Sequence, residues 1–399
     1  MNKNDNRLNR LSELKAEEEL LICCARTACS SDVKARIDSL INNTLNWQYV
    51  IRLAKQHGLL GLLYWHLSAT SSQAVPDDAL NSIRDSVYDY TRQNLLSTQE
   101  LSRVIKLLKK NHIDVIPYKG PVLALEIYQS LSLRRFVDVD ILIHKEDMGR
   151  AKELLISNGY KPRHQWNTVQ ETIVLRSGYE YPFTNQISKT LLEVHWVPLS
   201  ELYVSNDVAV LWDNARHLTF CGVRTLTLGH DDLLLILSAH AAKHLWRRLS
   251  WICDIAELTN TCRDINWQRT LNEAERLCCK RSFLISLLLA HDLLDAQIPE
   301  SVLNQGQNDI RVVKFVEQAE RHLFQPTDDN LDVVTQVANL QMKEKWMEKA
   351  KFFLKLVLVP TLGEYEAMPL PPSLVPLYYV FRPVRLLATY TPRLLRSLL

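Results

Sequence analysis

Two aspartates separated by one residue lie in the middle of an alternating strand pattern. In the stretch 136–143, Asp138 and Asp140 point to one face and the apolar residues Val137, Val139 and Ile141 point to the other. Two carboxylates this close repel each other, and a divalent cation removes the repulsion. Oxygen ligands favour Mg²⁺, with Mn²⁺ as an alternative. An Asp-x-Asp triplet alone also describes solvent-facing residues on an edge strand.

A Lys-Gly pair precedes this strand at a position that suits phosphate binding. The short apolar run 115–118 ends in Lys119 and Gly120, and an amphipathic helical pattern follows. A turn between a strand and a helix presents backbone N–H groups to phosphate. Arg134 and Arg135 stand just before the aspartate strand and add positive charge that offsets a triphosphate.

A later strand pattern, 190–196, supplies a third carboxylate. Its alternation places Glu193 and His195 on one face. Three carboxylates, a phosphate-binding turn and basic side chains are what metal-assisted phosphoryl or nucleotidyl transfer requires. His195 has two interpretations, as a general base or orienting group and as a hydrogen-bonded core residue.

The elements that position these residues are predicted to be mostly helical. The chain has 399 residues with 47% hydrophobic content, enough to bury a sizeable core. Leu-rich periodic runs flank the strand region. We therefore expect an α+β protein, predominantly helical, with a small mixed-sheet core. The predicted divisions are an N-terminal helical region at 1–100, an α/β core at 101–230 and a C-terminal helical domain at 231–399.

Several local predictions accompany this plan. The pattern over 47–66 predicts one helix in which Gly58 and Gly61 mark a break or a tight packing contact. Residues 160–190 are rich in Thr, Tyr and Val, which favours strands with loops. Residues 300–310 resemble a polar linker.

Composition excludes some classes of protein. The formal net charge of +2 argues against general nucleic-acid binding driven by bulk charge. Eight cysteines occur without a CxxC spacing, which argues against a zinc site. The N-terminus is polar and the apolar runs are too short to span a bilayer, so we predict a cytoplasmic protein without a transmembrane segment.

The helical run from Asp231 carries a second polar group. Its members recur at three- and four-residue intervals, so that most are expected to share one helix face. They are His240, Lys243, His244, Arg247, Arg248, Trp251 and Asp254. In one interpretation this face is a wall of the cleft, where His240, Lys243 and His244 meet phosphate or the acceptor and Asp254 orients a His or Arg. In the other it packs between domains, with Asp254 and Arg248 as an ion pair.

The C-terminal tail, 377–399, contains arginines but no acidic residue. One interpretation is peripheral attachment to a membrane surface or another anionic partner. The other is a C-terminal helix docked on the body of the protein, because Pro383 and Pro392 interrupt the amphipathic face.

Three stretches resemble the uncharacterised nucleotidyltransferase family, which has the DNA polymerase beta-like nucleotidyltransferase fold. They are KGPVLALEIYQSLSLRRFVDVDILI, LLEVHW and LLLILSAHAAKHLWRRLSWICDIAEL. The lead-in NWQYVIRLAKQHGLLGLLYWHL is also similar to that family. The resemblance spans roughly residues 47 to 258, with a weaker similarity at FRPVRLL.

Carried over by position, the resemblance implies functions for named residues. Asp138 and Asp140 match the metal-binding pair, and Glu193 matches the third catalytic carboxylate. Lys119 and Gly120 match the turn that replaces the superfamily's usual Gly-Ser.

One further match and two departures from the family pattern concern the surroundings of the Asp138–Asp140 pair and the third carboxylate. Arg134 matches the Arg four residues before the first aspartate. Val137 stands where Gly is usual, and Glu193 stands where Asp is frequent. Neither departure removes a ligand, so the resemblance implies an intact active site.

The first hypothesis is therefore a Mg²⁺-dependent nucleotidyltransferase with two metal ions. It would move an NMP group from an NTP, ATP by default, to an unidentified small-molecule, peptide or protein acceptor in a biosynthetic pathway. Two alternatives are a non-catalytic module that holds a nucleotide or phosphorylated ligand and a scaffold protein of a biosynthetic cluster. The three-carboxylate set favours the enzyme, because a binding-only site has no need for paired metals.

Overall fold

A computed structural model describes residues 14–69, 74–198, 208–325, 331–360, 364, 368, 370, 372–386 and 388. The helices before the first strand are α1 (Ala16–Cys24), α2 (Ser31–Ile41), α3 (Trp47–His57), α4 (Leu60–Ala69) and α5 (Asp77–Lys110). The middle of the chain contains β1 (Ile116–Tyr118), α6 (Gly120–Glu126), β2 (Asp138–Leu142), α7 (Met148–Ser157), β3 (Tyr160–Pro162), α8 (Thr168–Ser177), β4 (Glu180–Asn185), β5 (Leu191–His195), α9 (Ala209–Asp213), β6 (Arg216–Phe220) and β7 (Val223–Thr227). The later helices are α10 (His230–Lys243), α11 (Leu249–Thr261), α12 (Trp267–Arg276), α13 (Lys280–Leu294), α14 (Glu300–Asn308), α15 (Ile310–His322), α16 (Leu331–Met342) and α17 (Trp346–Leu358).

Within the described residues, five strands form a mixed sheet in the order β1-β2-β5-β4-β3. Strand β2 pairs antiparallel with β1 and parallel with β5. In the β2–β5 register, Asp140 is the partner of Glu193. Because side chains opposite each other in a pair share a face, this register brings the second aspartate and the predicted third carboxylate together.

Two hydrophobic cores organise the molecule. One combines α1–α4 and the start of α5 with α10–α15, so helices from both ends of the chain share it. The other lies against the sheet and includes the last turns of α5, from Leu101 to Leu108. At about 1.5 Å per residue, the 34 residues of α5 extend about 50 Å and connect both cores.

The two glycines in the helix predicted over 47–66 mark both of the expected features. The helix is broken at Gly58, which ends α3 in the left-handed conformation with φ 71°. Gly61 lies against the chain before β2, since a Cβ there would be 2.0 Å from the Ser132 carbonyl oxygen. The pattern 47–66 therefore forms two helices, α3 and α4, with a close approach at the start of the second.

Two local predictions were wrong. Residues 168–177 form helix α8 where strands with loops were expected. Its capping box overrides the β-branched composition, because Asn167 Oδ1 accepts from the Gln170 N–H at 2.9 Å and Gln170 Oε1 accepts from the Asn167 N–H at 3.0 Å. The expected linker at 300–310 contains helix α14, whose Val302 and Leu303 are buried although the segment is polar.

The helical run that begins near Asp231 is not continuous. Helix α10 ends at Lys243, and Leu245 and Trp246 both have left-handed backbone conformations. The buried Trp246 donates its indole N–H to Ser286 Oγ at 2.8 Å, which fixes the turn. Helix α11 then begins at Leu249, so the polar residues of this region come from two helices and not from one helix face.

The described part of the C-terminal tail contacts helix α17 and Glu364. Arg382 is buried, and it donates to Glu364 at 2.9 Å and to the Leu356 carbonyl at 3.1 Å. Arg385 also donates to Glu364, at 2.7 Å. Residues 387 and 389–399 of the predicted tail lie outside the described residues. None of the helices that the structure describes is both long enough and apolar enough to cross a membrane.

Candidate functional site

A cleft of about 560 Å³ lies between the sheet and the pair α10–α11. The residues predicted from the sequence to form the site all line this cleft. They are Lys119, Gly120, Arg134, Arg135, Asp138, Asp140, Glu193, His195, His240, Lys243 and His244. Residues that are far apart in the chain are therefore assembled around one volume.

The centre of the cleft is the carboxylate of Asp140, which is only 3% exposed. Its Oδ1 accepts from His195 Nε2 at 3.1 Å and lies 3.6 Å from the Lys119 ammonium. His195 Nε2 also lies 3.6 Å from Glu193 Oε2. Asp140, Glu193 and His195 therefore form one charged cluster on adjacent strands.

Asp138 lies beside this cluster on the same strand face and is half-buried. Burial raises the pKa of Asp138 to about 6, and the charges of Asp140 and Glu193 add to the effect. Val137 is 66% exposed and lines the cleft. The first aspartate is thus more accessible than the second and less strongly paired.

Asp140 and His195 stabilise each other's charged forms. Burial acts to raise the pKa of Asp140, but Lys119 and the hydrogen bond from His195 together hold that pKa well below its usual range. Burial acts to lower the pKa of His195, but the contacts with Asp140 and Glu193 raise it to about 9. At neutral pH this imidazole is therefore protonated and acts as a hydrogen-bond donor between carboxylates.

A fourth carboxylate, Glu180, belongs to the cluster and was not predicted from the sequence. It stands opposite His195 in the β4–β5 register, and its Oε2 lies 3.5 Å from His195 Nδ1. Burial raises the pKa of Glu180, while His195 opposes the shift. Recognising 180–185 as the strand paired with β5 would have pointed to Glu180, but the composition of 160–190 does not define that pairing.

The Lys119–Gly120 turn lies directly on β2. Lys119 has φ 52° and ψ −151°, and Gly120 has φ 36°. A Cβ at Gly120 would be 3.0 Å from the Asp138 carbonyl oxygen, so glycine permits the close approach of the turn to the aspartate strand.

Arg134 forms a buried ion pair below this turn. Its Nε and Nη2 donate to Asp254 at 2.7 and 2.8 Å, and its Nη1 lies 3.4 Å from the Gly120 carbonyl oxygen. Tyr128 donates its hydroxyl to Asp254 at 2.7 Å. Asp254 thus orients an arginine, as one interpretation expected, and its partner is Arg134 rather than Arg248.

The helical wall of the cleft contains an aromatic group formed by His240, His244 and Trp251. The His244 and Trp251 rings are nearly parallel with centroids 4.8 Å apart, and His240 meets Trp251 edge-on at 5.4 Å. Burial lowers the pKa of both histidines, to about 4 for His244, and nearby positive charges add to the shift. Both imidazoles are therefore neutral at pH 7.

The donor set at the carboxylate cluster fits a hard divalent cation. Carboxylate oxygens of Asp140 and Glu193 lie within 4.8 Å of one another, and Asp138 follows on the same face. The Lys119 ammonium and the His195 imidazolium already approach Asp140, which shows that positive charge is favoured at this position. Carboxylate oxygens of this kind suit Mg²⁺ or Mn²⁺.

The α+β fold, with its small mixed sheet and carboxylates on adjacent strands, is consistent with a nucleotidyltransferase-like fold. The sequence model of the family described as "Uncharacterised nucleotidyltransferase" matches residues 43–295. The match covers more than half of the chain, which therefore belongs to the uncharacterised nucleotidyltransferase family. The predicted family and fold class are confirmed, and membership supports a general role in nucleotidyl transfer. No curated protein and no solved structure matches the chain.

Proposed function

We propose that the protein is a Mg²⁺-dependent enzyme that transfers an NMP group from an NTP to an acceptor. The observation that supports this most directly is the β2–β5 register. It places Asp138, Asp140 and Glu193 on one face, next to the Lys119–Gly120 turn and inside one cleft. Metal-assisted phosphoryl chemistry needs carboxylates and a phosphate-binding turn in this proximity.

The metal-binding residues in this proposal are Asp138, Asp140 and Glu193. A bound divalent cation would supply Lewis-acid polarisation of phosphate oxygens and offset the charge of the triphosphate. His195 donates a hydrogen bond to Asp140 and lies beside Glu193, so it holds both side chains in place. The proposal has two cations shared among these three carboxylates, with Mn²⁺ able to replace Mg²⁺.

The nucleotide-binding residues in this proposal are Lys119, Gly120, Arg134 and Arg135. The turn presents backbone to the phosphates, and Arg135 is exposed at the cleft. Arg134 holds the turn in position, because its guanidinium contacts both Asp254 and the Gly120 carbonyl oxygen. We take ATP as the default nucleotide.

The acceptor in this proposal is a small molecule, peptide or protein of a biosynthetic pathway. It enters from the helical wall, where His240, Lys243 and His244 line the cleft. Their neutral imidazoles and ammonium offer hydrogen bonds to an acceptor or to phosphate.

The test is incubation of the full chain with Mg²⁺ and each α-³²P-labelled NTP, with release of pyrophosphate and transfer of label as readouts. We expect turnover with the wild type and with Asp114→Ala, an exposed aspartate outside the cleft. We expect none with Asp138→Ala/Asp140→Ala. Metal-dependent NTP binding without turnover would favour the non-catalytic alternative, and loss of both turnover and binding in the wild type would reject the site.

A further inference from the structure

The cations in the cleft are held in two different ways. Lys119 and Arg134 each contact a carboxylate, Asp140 at 3.6 Å and Asp254 at 2.7 Å. An ion pair of this kind orients a cation but cancels much of its charge toward other ligands. These two residues therefore contribute less to the attraction of a polyanion than their number suggests.

Lys243 and Arg248 are held by aromatic rings instead. The Lys243 ammonium lies 5.7 Å from the centroid of Tyr179, and the Arg248 guanidinium carbon lies 5.3 Å from the centroid of Trp251. No carboxylate in the described part of the chain forms an ion pair with either residue. A cation–π contact positions a cation without pairing it with a carboxylate, so both residues are available to an anionic ligand.

These residues are also in the correct place for a ligand of the carboxylate cluster. Lys243 is half-buried at the end of α10, Arg248 is exposed just before α11, and both line the same cleft as Asp140 and Glu193. Burial lowers the pKa of Lys243, although Glu180 opposes the shift. An anionic ligand would offset the cost of this partly desolvated ammonium.

We propose that Lys243 and Arg248, positioned by Tyr179 and Trp251, bind the polyphosphate chain of the nucleotide on the helical wall of the cleft. This rests on the proposed function and extends it, because it assigns binding of the phosphates to two cleft cations that have a cation–π contact and, within the described residues, no carboxylate partner. The ligand class is a nucleoside triphosphate recognised mainly through its phosphates.

The first experiment measures binding of Mg²⁺ complexes by calorimetry. Wild type, Lys243→Met and Arg248→Met are titrated with the best-bound NTP, its nucleoside monophosphate and inorganic tripolyphosphate. We expect each substitution to raise the Kd for the NTP and for tripolyphosphate at least tenfold, with a much smaller effect on the monophosphate. The matched controls are Lys161→Met and Arg163→Met, two exposed cations near the far edge of the sheet, and they should bind as the wild type does.

A second set of variants separates charge from packing. Lys243→Arg, Arg248→Lys and Tyr179→Phe retain the cation or the ring, and we expect them to keep NTP affinity within about threefold. Tyr179→Leu and Trp251→Leu remove the ring and should weaken NTP binding while circular dichroism shows an intact fold. Equal losses in the charge-retaining and Met variants would indicate a packing role and overturn the proposal.

The two proposals fail in distinguishable ways. If the wild type binds Mg²⁺–NTP and both Met variants bind it equally well, the assignment of Lys243 and Arg248 is wrong and the proposed function stands. If the wild type binds no NTP in the presence of Mg²⁺ or Mn²⁺, the proposed function is wrong, and the assignment that rests on it is also rejected.

Discussion

Lys119 combines an unfavourable backbone conformation with a favourable side-chain position. Its φ of 52° and ψ of −151° lie near a region that residues with a Cβ rarely adopt. Its ammonium nevertheless lies 3.6 Å from Asp140, and its backbone leads into the turn on β2. The strain is of the size found at functional sites, about 1–3 kcal/mol.

A substitution series at this position tests the strain. We expect Lys119→Gly to be more stable than Lys119→Ala by about 1 kcal/mol, because glycine adopts this conformation freely while alanine keeps the Cβ; both variants lack the ammonium, so the comparison isolates the backbone. This order is the reverse of the usual preference for alanine over glycine. Urea unfolding of both variants measures it, and an alanine variant as stable as the glycine variant would show that the backbone is not strained.

The Arg134–Asp254 pair gives a second prediction at the residue scale. Both side chains are largely buried, at 14% and 3% exposure. Asp254→Ala should lower the free energy of unfolding by about 3–5 kcal/mol, because it leaves the guanidinium and the Tyr128 hydroxyl without their acceptor. Arg134→Met/Asp254→Leu removes both charges and should be clearly more stable than Asp254→Ala. The measurement is chemical denaturation of the single and double variants, and equal stabilities would contradict an interaction between these residues.

At the scale of elements, the site depends on how closely the turn before α6 approaches β2. Gly120 has φ 36°, and a Cβ at this residue would be 3.0 Å from the backbone oxygen of Asp138. Backbone cannot move aside as a flexible side chain can. The spacing between the Lys119–Gly120 turn and the aspartate strand therefore depends on the absence of a side chain at Gly120.

Gly120→Ala should separate these two elements. We expect a loss of about 1–3 kcal/mol in the free energy of unfolding and loss of most NTP binding. The matched control is Gly149→Ala, because the Cβ at this exposed position in α7 would meet no atom within 4 Å. The control should be neutral or stabilising by up to about 1 kcal/mol. Thermal unfolding in the presence and absence of Mg²⁺–NTP measures both the stability and the NTP binding of each variant. Similar results for Gly120→Ala and Gly149→Ala would argue against a close approach of the Lys119–Gly120 turn to β2.

At the scale of the whole molecule, helices from both ends of the chain pack in one core beside the cleft. His57, at the end of α3, is fully buried there. Its Nδ1 accepts from the backbone N–H of Leu249, the first residue of α11, at 3.2 Å. Its ring also meets Phe324 edge-on. The N-terminal helices thus fix the helix that carries Trp251 and Asp254.

This contact predicts a pH dependence of stability. Burial lowers the pKa of His57 to about 4, and Arg248 adds to the effect. The unfolded chain binds a proton below its ordinary pKa of about 6.5, whereas the folded protein does so only near 4, so stability falls as the pH falls between these values. At pH 5 the loss from this residue is about 2 kcal/mol.

His57→Asn provides the measurement, because asparagine can accept the Leu249 hydrogen bond but does not titrate. Between pH 7.5 and pH 5, the wild type should lose about 2 kcal/mol more in the free energy of unfolding than the variant does. Urea denaturation at the two pH values gives both differences. A gap between wild type and variant that does not change with pH would mean that His57 titrates alike in the folded and unfolded states.

The sequence determined which residue types are available for chemistry and which short elements carry them. Alternation placed Asp138 and Asp140 on one face of a strand, and the pattern around Lys119 and Gly120 predicted a strand, a turn and a helix. These are local properties, because side-chain direction in a strand and the start of a helix depend on neighbouring residues. The motif order also sufficed to identify the family and the α+β class.

Only the tertiary structure decided which residues meet. The parallel pairing of β2 with β5 places Glu193 beside Asp140, and the pairing of β4 with β5 brings in Glu180, whose role no local pattern indicated. The turn at 244–248 ends one helix before the next begins. Arg248 lies against Trp251, and Asp254 forms its ion pair with Arg134. A continuous helix would have arranged Arg248, Trp251 and Asp254 along one face. Strand partners and helix breaks depend on contacts between distant segments, such as that of Trp246 with Ser286, and the free energy of those contacts is not encoded in any short stretch of the chain.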